Sequence, residues 1–113
     1  MKRIISASST LPTQYEFDEE ISKYLSDNKV WVESVYSDYD KDTNTVGISV
    51  EVDGDWKHDH LRADYLMSDY FSDDLIQTGE DVLEDSDDDS YESRHIYVIQ
   101  NADKYFNTNK LGD

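Results

Sequence analysis

The side chains of this chain best placed to do chemistry are carboxylates and one pair of histidines. His58 and His60 flank Asp59 in DWKHDHLRAD, with Asp55 and Asp64 close by. An H-x-H pair can share a metal ion when its backbone is extended, because residues i and i+2 of a strand lie on one face. The segment reads instead as a helix or a helix start, where i and i+2 are about 200° apart round the axis. No metal site is therefore expected there. His95 opens a strand and has no partner by sequence. Asp40, Asp42, Asn44 and Glu51 fall on ligand positions of an EF-hand loop. Thr45, however, replaces the glycine that makes that loop's sharp turn, and the flanks are strand-like. Weak adventitious cation binding is the most this loop promises, and no cofactor is implied.

Catalysis finds little support. Acid–base work needs carboxylates whose pKa values are pushed apart by burial, and most of these should be solvated. The sequence has no G-x-S-x-G, no P-loop and no G-x-G-x-x-G. Its serines sit in no nucleophile context, so a non-enzymatic protein is expected.

The charge narrows the classes further. Twenty-seven acidic residues face ten basic ones, for a formal net charge of −17. Such a chain does not bind nucleic acid by neutralising phosphates, and anionic membranes repel it. No apolar run approaches the roughly 20 residues of a spanning helix. The start, MKRIISASSTLPTQ, has a basic pair with only Ile4 and Ile5 behind it. That is no secretory h-region, so a cytoplasmic protein is expected. Without cysteine there is no disulfide frame and no thiolate. The length suits one domain over residues 1–113.

The elements that must position these carboxylates follow from periodicity. Residues 2–7 are a weak candidate for a first strand. Phe17, Ile21, Tyr24 and Leu25 lie on one helical face, with Thr13 and Glu16 forming a capping box before them. VWVESVYSDY (30–39) and VGISVEV (46–52) read as a β-hairpin. Leu61, Tyr65, Leu66, Met67, Tyr70 and Phe71 predict a second helix over 57–72. HIYVIQ (95–100) is a last strand, and the tail has room for one helical turn. The class is α+β, a small antiparallel sheet of three or four strands with two helices on one face. If 2–7 is a strand, the order is the ferredoxin-like βαββαβ.

Residues 72–93 read as an acidic insertion between the second helix and the last strand. Leu75, Ile76, Val82 and Leu83 fit a helix docked by those four, followed by exposed loop. From Ala63 to Ser93 there are 12 acidic residues and no basic one. Asp outnumbers Glu by 19 to 8 across the chain, and the shorter side chain holds its charge closer to the backbone. A rigid display of carboxylates at the density of DNA phosphates, about one charge per 1.7 Å of helix axis, can fill a basic cleft. The partner-binding residues expected on this reading are Asp73, Asp74, Glu80, Asp81, Glu84, Asp85, Asp87, Asp88, Asp89, Tyr91 and Glu92. Asp38, Asp40 and Asp42 at the hairpin tip join them. Tyr36, Tyr39 and Tyr91, interleaved with Asp or Ser, are candidate interface anchors.

In size, in lack of cysteine and catalytic motif, and in its Asp/Tyr-rich strands and acidic Asp73–Glu92 stretch, the chain resembles small phage or mobile-element inhibitors. DNA-mimic anti-CRISPR and anti-restriction proteins are the types it resembles. The resemblance implies a stoichiometric inhibitor in the nucleic-acid channel of a CRISPR effector nuclease or a restriction enzyme, acting in the host bacterial cytoplasm. Its carboxylates would face the Lys and Arg of a basic nucleic-acid-binding protein. The competing readings are an acidic immunity, antitoxin or accessory module on a basic partner, and a weak divalent-cation-binding domain.

Overall fold

The computed structural model describes residues 11–53, 56–85 and 91–108. The expected strand at 2–7 lies outside them, as do Asp87, Asp88 and Asp89. Helix α1 spans Gln14–Asp27, strands β1 and β2 span Val32–Asp40 and Thr45–Asp53, and helix α2 spans Trp56–Phe71. Strands β3 (Leu75–Asp85) and β4 (Tyr91–Gln100) complete the chain, with short 3-10 turns at Ser72–Asp74 and Ala102–Lys104. The class is α+β, as expected: two helices on a four-stranded antiparallel sheet of order β1-β2-β4-β3.

Helix α1 starts where its capping box predicts. The Glu16 amide donates to Thr13 Oγ1 at 3.1 Å, and the Thr13 amide donates to Glu16 Oε1 at 3.0 Å. Two of the helix's orphan donors are thereby satisfied. It ends in a Schellman motif, with Val30 N–H on the Leu25 carbonyl and Lys29 N–H on that of Ser26. Lys29 takes the left-handed conformation (φ 75°) that glycine usually fills. Phe17, Ile21 and Leu25 point into the core.

Strand β2 alternates as its sequence does. Val46, Ile48, Val50 and Val52 are buried on the face covered by the helices, beside Tyr97 and Ile99 of β4. From α2 come Ala63, Leu66, Met67 and Phe71. Tyr65, expected inside, is 69% exposed, because the buried arc of α2 runs through 63, 66, 67 and 71 and leaves 65 on the far side. The tail closes the core at one end. Phe106 stacks 5.0 Å from Phe17 and meets Tyr39 edge-on at 5.6 Å.

Segment 72–93 differs from expectation. Among the described residues it is no docked helix: Leu75–Asp85 is the edge strand β3 and Tyr91–Ser93 opens β4, while the rest of the expected loop, 86–90, lies outside them. The order is thus αββαββ over the described residues, and β4 rather than an N-terminal strand lies beside β2. That excludes the ferredoxin-like order. The physical reason lies in two irregularities of register, between Leu75 and Gln77 and between Val82 and Glu84. Each falls on an apolar dipeptide and leaves Ile76 or Leu83 as the extra residue. Two bulges seven residues apart reproduce the spacing of a helical face. Extended pairing with β4 then satisfies the backbone groups on one side of Leu75–Asp85.

Candidate functional site

The expected partner-binding residues are distributed over both ends of the sheet. Thr45 pairs with Gln100, so the β1–β2 turn carrying Asp42 sits at the end where β4 finishes. Asp85 pairs with Tyr91, and Asp53 with Glu92, at the opposite end. The ten residues of β4 separate the two ends by roughly 30 Å at a rise of about 3.3 Å each. Asp38, Asp40, Asp42, Asp73 and Glu80 are exposed.

The second end carries the denser arrangement. Strand pairing puts Asp53, Glu92 and Glu84 side by side on β2, β4 and β3. Two residues along, the row reads Glu51, Arg94 and Asp81. Neighbouring strands are about 4.8 Å apart and same-face residues about 6.7 Å, so acidic positions repeat on a lattice fixed by backbone hydrogen bonds. Arg94 is the only base in these two rows; its guanidinium donates to Glu51 Oε2 at 3.1 Å. The Ser34 hydroxyl donates to the other oxygen of Glu51. Like charges directly opposite one another destabilise a sheet. Such a lattice suits contact with a matching set of Lys and Arg.

Asp74 is the clearest correction. It is 6% exposed and faces inward. Asn101 Nδ2 donates to its Oδ1 at 2.9 Å, while Lys104 Nζ and the Tyr105 hydroxyl donate to Oδ2 at 2.8 and 2.6 Å. The Lys104 bond, then those from Tyr105 and Asn101, hold its carboxyl well below the usual carboxylate range. A carboxylate so occupied fastens the tail and is not free to meet a partner. Its three donors lie at least 27 residues downstream, beyond the reach of local pattern.

Other residues also change role. Tyr36 is 60% exposed. Tyr39 packs on Phe106, and its hydroxyl donates to Asn44, so it belongs to the core. His95, without a partner by sequence, is fully buried with Nε2 2.8 Å from Ser93 Oγ. Burial, then the Asp64 carboxylate that accepts its proton at 2.7 Å, pushes the Tyr97 hydroxyl far up. Ser93 and His95 have the spacing of a nucleophile and its base, but both are sealed beneath the helices, where they join the sheet's covered face.

The EF-hand pattern folds as a hairpin. Asp40 Oδ1 accepts the Asp42 amide at 3.0 Å, and Asn44 (φ 54°) is bonded to Asp103. Glu51 lies far along β2, on Ser34 and Arg94. The backbone at His58 and His60 is helical. Among the described residues, no group of three His, Asp or Glu could hold a metal ion, and no helix is long and apolar enough to cross a membrane.

Several acidic positions were not picked out by reading along the chain. Glu51 and Asp53 join the lattice only because β2 lies beside β4. Glu16, Glu19 and Glu20 line the solvent side of α1. Comparisons with protein-family models, with curated proteins and with solved structures found no match for this chain.

Proposed function

We propose that this protein is a non-enzymatic inhibitor whose carboxylates stand in for nucleic-acid phosphates in the basic cleft of a nuclease, with a CRISPR effector as the foremost target. The observation that carries the reading is the row Asp53–Glu92–Glu84, three acidic residues side by side on hydrogen-bonded strands. A coat kept for solubility gains nothing from holding like charges in register, and it loses stability by doing so. An array meant for Lys and Arg gains a fixed spacing and avoids ordering its side-chain carriers on binding. Long-range attraction would also speed encounter and make association salt-sensitive.

The test is capture of partners from cells carrying CRISPR or restriction systems, at low and high salt, followed by competition. Excess duplex DNA or guide RNA should release the captured nuclease. A partner that holds on against both would favour an immunity or accessory module on a basic protein. Charge reversal of Asp85, Asp87, Asp88 and Asp89 to Lys should abolish binding and leave the fold intact. Unchanged inhibition would move the contact to Asp38, Asp40 and Asp42.

A further inference from the structure

We infer that the outer edge of β3 is a pairing site for a basic extended segment of the partner, which joins the sheet as a further strand. The inference rests on the reading above only for the kind of protein that supplies the segment. Strand order puts β1 and β3 at the two margins of the sheet, and the margins differ. Helix α1 packs against β1, where Val35, Ser37 and Tyr39 are half-buried. From that helix Gln14 Nε2 donates to the Ser37 carbonyl at 3.1 Å and to the Ser37 hydroxyl at 2.8 Å, so a side chain already uses the β1 backbone. A register irregularity between Val32 and Ser34 blunts that edge further.

Strand β3 is covered far less. Every residue from Ile76 to Glu80 is exposed. Successive residues of a strand point to opposite faces, so both faces of β3 lie open there. Among the described residues no strand flanks its outer side. Between its two bulges β3 pairs regularly over Gln77–Val82, a run of ordinary strand length, about five to six residues. A row of edge amides and carbonyls recognises another extended backbone, which fixes the conformation of what binds.

The side chains along the edge fix its composition. Gln77, Thr78 and Gly79 carry no charge, and a Cβ added at Gly79 would meet no heavy atom within 4 Å. An aromatic side chain of an added strand fits over such an edge glycine. Glu80 and Asp81 come next, one on each face. Arg94, opposite Asp81 on β4, donates to Glu51 on the far strand and leaves this edge in acidic excess. In the antiparallel sense of the rest of the sheet, the matching segment carries, from its amino end, two adjacent Lys or Arg, an aromatic residue and two β-branched ones. A second copy of this chain fits poorly, because it brings Glu80 and Asp81 again with another net charge of −17.

The probe is a synthetic peptide of about eight residues with that order at its centre. Its control has the same sequence with the central backbone nitrogens methylated, which keeps every charge and removes the ladder donors. Each is titrated into the isotope-labelled full-length protein at neutral pH, while backbone amide shifts and hydrogen exchange are followed by NMR. The unmodified peptide should shift the amides of Gln77–Val82 and slow exchange at alternate residues among them. The methylated peptide should bind about tenfold more weakly or worse. Thr78→Lys puts on the exposed edge the charge that strands use against pairing, so the variant should stay folded while affinity falls by about tenfold. The comparison of the two peptides on the unaltered protein stands by itself if that variant fails to fold. Equal binding of both peptides, shifts confined to β1 or the helices, or unchanged affinity of a folded Thr78→Lys variant would overturn the inference. So would a dimer of the unliganded protein through β3 in sedimentation and exchange experiments. The titration contains no nucleic acid, so the two readings fail separately. Release of the nuclease by DNA without strand pairing sinks only the edge site, whereas pairing without release by DNA upholds the edge site and sinks the mimicry.

Discussion

The hydroxyl of Tyr105 donates to Asp74 Oδ2 at 2.6 Å and ties the turn after α2 to the end of the chain. Lys104 and Asn101 complete the clasp. Burial, with the Asp74 carboxylate next, pushes the Tyr105 hydroxyl well above its ordinary value. Asp74→Asn should lower the melting temperature at neutral pH by several degrees. Because the folded carboxyl titrates below its unfolded value of about 3.9, its contribution is fully present above that pH and is lost as pH falls towards the folded value. Melting curves between pH 7 and 2 should show wild type and Asp74→Asn converging only below about pH 4.

Asp18 should behave in the opposite sense. Burial pushes its carboxyl up, against a smaller opposing effect from a Ser37 hydrogen bond, and its Oδ1 is buried without a hydrogen-bond partner. A raised folded value means that stability is gained as the group protonates and is lost as pH rises through that value. Asp18→Asn should therefore raise the melting temperature at pH 7 by a few degrees. The gain should shrink on acidification, and a gain that held constant down to pH 3 would contradict the burial.

Lys29 occupies a left-handed position at the end of α1. Such a conformation costs a residue with a side chain about 1 kcal/mol and costs glycine almost nothing. Lys29→Gly should stabilise the fold by about that amount in urea denaturation. The Val30-to-Leu25 hydrogen bond should remain, since the backbone path is unchanged.

Glu92 sits between Asp53 and Glu84 in register. Glu92→Gln removes two like-charge pairings and should raise stability by about 0.2–1 kcal/mol, more at low salt. The same change should weaken capture of the nuclease. Stability and binding moving in opposite directions, read by denaturation and by pull-down, would mark the charge as retained for contact. A variant that lost both would point to a structural role for Glu92.

The parts of the fold legible in the sequence are those whose signals are local. Thr13 and Glu16 announce α1, and the strict alternation of Val46, Ile48, Val50 and Val52 announces β2 and its buried face. Strand β3 was hidden because Leu75–Ile76 and Val82–Leu83 repeat at a helical interval, and because its carboxylates resemble those of a solvated loop. The acidic character of the site was legible as composition. Its geometry was not, since Asp53, Glu84 and Glu92 meet through strand order rather than sequence. Asp74 shows the same limit, for nothing near it reveals the donors from Asn101, Lys104 and Tyr105.

Strand β3 has a consequence for how this protein keeps company with itself. It is an edge strand, and from Ile76, which is 52% exposed, to Gly79 it has no charge. Bare edges of this kind recruit other copies strand by strand into fibres. Here Glu80, Asp81, Glu84 and Asp85 follow directly along the same edge, and a second copy would bring the same acids against this chain's overall excess of negative charge. The edge is therefore guarded in neutral solution and loses that guard near pH 4.2, where the chain's net charge vanishes. Storage and crowding near that pH are the conditions under which this chain should polymerise, whereas the positive charge gained at still lower pH should oppose it.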